Sequence, residues 1–167
     1  MSDQSLLLFQ LGPVQSFIAQ AETAGDLWAG SYLLSKLVWE GLKKIPNQKE
    51  NVIFPDLSTD VVRKALEEDL IPTIPNRFLA WVPKGEGADV AKKIKEAIQC
   101  KLNDYIEKLE LEEPLEKAAL LQGSQFLQMT WAVLDEPFET MGDTGMQVKS
   151  RGVLGKRLKI LMLRSPF

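Results

Sequence analysis

The sequence predicts an α+β domain of the split βαβ, ferredoxin-like type (βαββαβ), a four-stranded antiparallel sheet with both main helices on one face. Three observations predict it. Short apolar runs closed by proline or glycine mark four strands, and two long stretches with helical periodicity separate them. Their order along the chain is strand, helix, strand, strand, helix, strand. Size agrees with one such domain: 167 residues, 45% hydrophobic and 26% charged, bury enough surface to hold a core without a covalent staple.

Leu6 to Leu11 is a strand-length run, apolar on both faces, that stops at Gly12-Pro13. Pro13 stands where a helix can start without losing a donor, and Val14, Phe17, Ile18 and Ala21 follow at helical spacing. Asp26 is the expected N-cap of a second helix from Leu27 to about Lys44, with Leu27, Leu34, Leu37, Val38 and Leu42 as its apolar stripe. Asn51 to Phe54 reads as the second strand, closed by Pro55-Asp56. A short helix is expected over 59–69 behind a Ser58 cap. The prolines at 72 and 75 exclude regular structure just before the third strand, Arg77 to Val82. Ala88 to about Leu111 carries the clearest helical stripe: Val90, Ile94, Ile98, Leu102, Tyr105, Ile106 and Leu109. A short helix is expected to resume around Leu115–Leu121, and Phe126 to Leu134 supplies the fourth strand. Domain organisation is therefore 1–137 as the folded unit and 138–167 as an irregular basic tail.

Composition removes whole classes of chemistry. There is no histidine, so imidazole-based triads, dyads and metal sites are impossible within this chain. One cysteine, Cys100, excludes an internal disulfide and a cysteine-cage zinc, and its helical position predicts a packed thiol. Any metal would be a hard cation held by carboxylates and carbonyls. No apolar run reaches membrane-spanning length and no signal peptide is visible, which predicts a cytoplasmic protein without a membrane partner. The net charge of −3 divides unevenly. Residues 148–167 hold Lys149, Arg151, Lys156, Arg157, Lys159 and Arg164 with no acid, a local +6, which leaves −9 on residues 1–147. An acidic body is a poor stand-alone binder of nucleic acid.

Two-metal nucleotidyl transfer needs clustered carboxylates. The first strand ends Gln10-Leu11-Gly12 without an acid, and Asp56 and Asp60 are the nearest early candidates on a proline-broken connection. The sequence therefore predicts no catalytic metal site and no turnover by this chain alone. Gly12-Pro13-Val14-Gln15 joins a strand to a helix start, where backbone N–H groups can meet an anion, or where a plain turn binds nothing. Trp28, Tyr32 and Trp39 form an aromatic stripe whose expected role is core packing, with a partner interface as the alternative. Pro75-Asn76-Arg77 reads from the residues alone as an Asn turn with an exposed cation. Gly142 to Gly145 lacks the lysine of a phosphate-binding loop and reads as a turn.

Leu8 to Ile18, followed by Asp26-Leu27-Trp28-Ala29-Gly30-Ser31-Tyr32-Leu33-Leu34-Ser35, resembles the signature of the large subunit of the Cmr complex of type III-B CRISPR systems, the Cas-ten family. Phe54 to Leu57 and Ile74 to Ala80 resemble that family's next two motifs, in the same order. The resemblance is to the first of two palm-type, cyclase-like domains. It implies a non-catalytic palm-like fragment of an RNA-guided antiviral effector, acting as scaffold and as half of a nucleotide site. By resemblance, the nucleotide-binding residues are Gly12, Pro13, Val14, Gln15, Asp26, Ser31, Ser35, Asn76 and Arg77. Implied partners are other Cmr-type effector subunits, a second palm domain and, indirectly, guide RNA. The histidine-dependent nuclease and the Gly-Gly-Asp-Asp metal site of the family are missing from this sequence. No cofactor is required, and ATP or ADP is expected to bind weakly, with Mg²⁺ only if a second palm is present. The family's basic residues ahead of Asp-Leu-Trp are replaced by Ala21-Glu22-Thr23-Ala24-Gly25, which weakens the expected triphosphate grip. Two other classes stay open at this point: a nucleotidyl cyclase or polymerase half-domain, and a stand-alone ferredoxin-like module binding RNA or a small molecule.

Overall fold

The computed structural model describes residues 4–57 and 74–135, together with Lys64 and Glu68. In chain order the elements are β1 (Gln4–Gly12), α1 (Val14–Ile18), α2 (Ala24–Leu42), α3 (Gln48–Asn51), β2 (Val52–Phe54), β3 (Arg77–Pro83), α4 (Gly87–Glu107), α5 (Glu113–Phe126) and β4 (Gln128–Leu134). The sheet runs β2-β3-β1-β4 with every pairing antiparallel. The two central strands are thus β1 and β3, and the fold is ferredoxin-like, as the element order predicts.

Strict alternation assigns the faces. Leu7, Phe9 and Leu11 of β1 and Phe78, Ala80 and Val82 of β3 are fully buried against the helices. Phe9 lies between its cross-strand neighbours, stacked on Phe78 at 5.2 Å and on Trp131 at 6.3 Å between ring centroids. Each fully buried side chain of this size contributes about 1.5–3 kcal/mol of hydrophobic stabilisation. From above, α4 presents Val90, Ala91, Ile94, Ile98, Leu102 and Ile106 on one stripe, and α2 presents Leu34, Leu37, Val38, Trp39 and Leu42 to the same core. Two glycines permit the close approach. A Cβ on Gly41 would stand 2.9 Å from Ile94 Cγ2, and one on Gly87 only 2.5 Å from Val133 Cγ1.

Several local expectations need correction. Thr23, not Asp26, caps α2: the Thr23 hydroxyl accepts from the Asp26 N–H at 3.1 Å, while the Asp26 carboxylate accepts from the Thr23 N–H at 2.9 Å. This reciprocal capping box moves the helix start back to Ala24. The early part of α2 extends past the core, so Leu27 is 44% and Trp28 66% exposed, contrary to their expected burial. Trp28 stacks on Tyr32 at 5.3 Å, while Trp39, two turns farther on, is buried as expected. Cys100 is exposed, because it falls off the Ile94–Ile98–Leu102 stripe. α4 ends at Glu107 rather than near residue 111. Glu110 adopts a left-handed backbone (φ 49°), which turns the chain and leaves Leu109 exposed. Pro13 precedes α1, joined to Gly12 by a cis peptide, and α1 is a single short helix of five residues. The helix expected over 59–69 lies outside the described residues apart from Lys64 and Glu68, as do Asp60, the turn at Gly142 to Gly145 and the basic end.

A candidate nucleotide-facing end of the sheet

The candidate residues come from four stretches of sequence, and the sheet brings most of them to one place. β1 ends at Gly12, and antiparallel pairing sets Gln10 opposite Arg77. One step beyond, Leu11 and Asn76 lock together. The Leu11 N–H donates to the Asn76 carbonyl at 2.7 Å, and the Asn76 side-chain amide donates back to the Leu11 carbonyl at 2.8 Å. The second bond needs a donor on a side chain short enough to reach the neighbouring strand, and the Asn76 amide supplies it. Beneath this end, the buried Ser35 hydroxyl of α2 donates to the Ile74 carbonyl at 3.3 Å. That bond fixes the segment entering β3 and commits Ser35 to a position inside the protein.

Gly12, Pro13, Val14, Gln15, Asn76 and Arg77 therefore share the β1-exit, β3-entry end of the sheet. Gln15 and Arg77 are exposed there, while Gly12, Pro13, Val14 and Asn76 are half-buried. Gly12 needs no left-handed backbone, and a Cβ placed on it would meet nothing within 4 Å, so the space above it is open. Ser31 and Asp26 occupy the exposed first turns of α2, one and about two and a half turns before Ser35. The Asp26 carboxyl is held below its ordinary range by hydrogen bonds from the Thr23 side chain and backbone. Its Oδ2 is taken up by the capping box, accepting from both the Thr23 N–H and the Thr23 hydroxyl.

Chemically, this end offers one guanidinium, the Gln15 amide and the remaining acceptor of Asn76. Such groups can hold the phosphate or ribose of a nucleotide but cannot transfer a proton near neutrality. A five-residue α1 adds little dipole, so the anion attraction expected from a helix start is small here. Among the described residues, no group of three or more His, Cys, Asp or Glu side chains is placed to hold a metal ion. Likewise, no described helix is long and apolar enough to cross a membrane.

Residue-type reasoning missed two participants. Gln10 pairs with Arg77 across the β1–β3 ladder, and Thr130 pairs with Gln10 from the other side, on β4. Their signal is a polar residue at an alternate position in otherwise apolar strands. Thr23 was also legible in principle, as the first residue of a Thr-x-x-Asp capping pattern.

Comparison with known proteins decides the family. Residues 6–108 match the family model described as CRISPR-associated protein Cmr2, N-terminal. The chain belongs to the Cmr2 N-terminal family. It is 34% identical over 115 residues to the CRISPR system Cmr subunit Cmr2 of Pyrococcus furiosus. That alignment covers 64% of this chain but 13% of the relative, so the chain spans a small part of the Cmr2 protein it matches. The matched region takes in β1 through α4, and with it all nine candidate residues.

Proposed function

We propose that this Cmr2-family chain is a palm-like, non-catalytic fragment of a type III CRISPR effector large subunit, working in antiviral defence as a scaffold. In this reading it supplies one half of a nucleotide-facing site, and a second palm domain supplies the other. The observation that carries the reading is the convergence of Gly12–Gln15 with Asn76 and Arg77 at one open end of the central strand pair. Residues more than 60 positions apart in sequence meet there, and both stretches lie within the family match. Arg77 faces a phosphate, while Gln15 and Asn76 contact ribose or base. Asp26 and Ser31 border the site from α2, and Ser35 positions it from below.

The chain works without a cofactor of its own. ADP or ATP binds weakly, and Mg²⁺ joins only where a second palm contributes carboxylates. Its partners are Cmr-type effector subunits and that second palm, with guide RNA reached through them, in the cytoplasm. An amide-resolved NMR titration of the full chain with ADP tests this. Saturable shifts at Gly12, Gln15, Asn76 and Arg77, lost in Gly12→Ala, are expected. Shifts confined to other surfaces, or none at millimolar ADP, would overturn the nucleotide half of the reading.

A further inference from the structure

Helix α5 is fourteen residues long, yet none of them is fully buried. It rests on α4 through Ala119, Leu120 and Gly123, where Leu102 and Ile106 of α4 come close. Its outer face carries no charge. Pro114, Ala118, Leu121 and Gln125 recur at i, i+4, i+7 and i+11, with Leu115 and Gln122 beside them, and all six are exposed. Leu115 is 57% and Leu121 60% exposed, and Leu109 in the turn before the helix is 64% exposed. Helices in proteins draw most of their stability from packing an apolar face, so this corner is short of cover. Acid gathers at the same corner. Glu107, Glu110, Glu112 and Glu113 are exposed where α4 leads into α5. Lys108 is engaged with Asp104 and Lys117 with Glu113, so among the described residues no cation pairs with Glu107, Glu110 or Glu112.

Charge and connectivity together select the occupant. Residues 148–167 carry six cations and no acid, interleaved with Leu154, Leu158, Ile160, Leu161 and Leu163. They match both halves of the corner, apolar side chains for α5 and cations for the glutamates. They can also reach it. Helix α5 runs through Leu127 into the start of β4, whose seven residues span about 23 Å. Residues 136–147, extended, reach about 40 Å, enough to return from the end of β4 to α5. Residues 58–73 are excluded by charge and by their anchors. Asp60, Glu67, Glu68 and Asp69 outnumber Arg63 and Lys64, so this stretch would bring like charge to the glutamates. It also leaves from the buried Leu57 and returns at Ile74, held by Ser35 beside β3, which β1 separates from β4. The same corner of a second copy would be repelled for the same reason. We infer that the outer face of α5 and the acidic turn before it receive residues 148–167 of the same chain. Attachment at a high effective concentration lets contacts that are individually weak suffice. The inference is independent of nucleotide binding and is tested without nucleotide.

Cys100, exposed on α4 and the one cysteine of the chain, takes a nitroxide label without further substitution. In the labelled full chain, the amide signals of residues 148–167 should broaden and should recover when the nitroxide is reduced. Glu110→Lys combined with Glu112→Lys should abolish that broadening, and adding Lys156→Glu with Arg157→Glu should restore it. Restoration by the exchanged charges separates docking from a fold damaged by the first pair. Lys156→Glu with Arg157→Glu alone should shift the amides of Leu115, Ala118 and Leu121. Leu121→Asp, at an exposed position, should weaken the broadening while the spectrum stays dispersed. Unbroadened signals from 148–167, or broadening that neither charge reversal alters, would overturn the inference. So would broadening of residues 58–73 in their place, which would make that stretch the cover. Broadening that passes from a labelled chain to an isotope-enriched, unlabelled one in a mixed sample would also overturn it, because the occupant would then come from a second copy.

Discussion

Replacing Gly87 by alanine tests how α4 is seated on the sheet, and the structure supplies the magnitude. The new Cβ would lie 2.5 Å and 2.8 Å from the two γ-carbons of Val133 and 3.2 Å from its Cβ. Ordinary contact begins near 3.4 Å, so the helix or the strand must move by roughly 1 Å. Rotating Val133 cannot relieve this, because its own β-carbon is already too close and its two γ-branches occupy both directions. Overpacking of this kind costs about 1–3 kcal/mol. Against it stands the better helix propensity of alanine, up to about 1 kcal/mol and less at a first turn. The expected net loss is about 1–2 kcal/mol, read as a lower urea midpoint at unchanged slope. Val133→Ala in the same background should restore most of it, giving a coupling of about 1 kcal/mol or more between sites that are otherwise independent. A Gly87→Ala midpoint equal to or above that of the parent would refute this packing. Failure of Val133→Ala to rescue would refute the assigned cause.

Three further outcomes follow from the same geometry. Phe9→Ala removes the ring held between Phe78 and Trp131 and should cost about 3–5 kcal/mol in urea unfolding, enough to unfold much of the population at ambient temperature. Asn76→Ala deletes the bond to the Leu11 carbonyl and should cost about 1 kcal/mol, while Gly12→Ala, with nothing within 4 Å of its new methyl, should stay within about 0.5 kcal/mol of the parent. Asp26 has a folded pKa below its ordinary 3.8, so the stability it adds is present above that value and is lost as pH falls through the folded pKa. Asp26→Asn keeps the shape of the cap but removes the titration, and should therefore make the acid limb of a pH–stability profile shallower; an unchanged limb would contradict the capping-box assignment.

The legible part of this protein was its strand alternation and its longest helix. Leu7, Phe9 and Leu11, or Val90, Ile94 and Ile98, reveal their burial through spacing alone, because every second or every third to fourth residue must face the core. Element ends were less legible. The start of α2 turned on a reciprocal hydrogen bond between Thr23 and Asp26, two residues that each make a plausible cap in isolation. Burial at Leu27 and Trp28 was overestimated because a helical stripe shows which way side chains point but not how far the underlying sheet extends. Leu109, by contrast, is exposed because α4 stops at Glu107 and the chain turns at Glu110. The candidate site was only half legible. Gly12 and Arg77 announce themselves as a turn and a strand start, yet nothing local connects them. Their meeting depends on the β1–β3 register, and Asn76 ties that register through a side chain whose partner lies 65 residues away.

The most direct test of the central claim is turnover. The purified chain, incubated with ATP and either Mg²⁺ or Mn²⁺, should return the nucleotide unchanged, with no cyclic or linear adenylate formed. Product that appears with this chain alone, and disappears when one of its own aspartates is replaced by asparagine, would contradict the account.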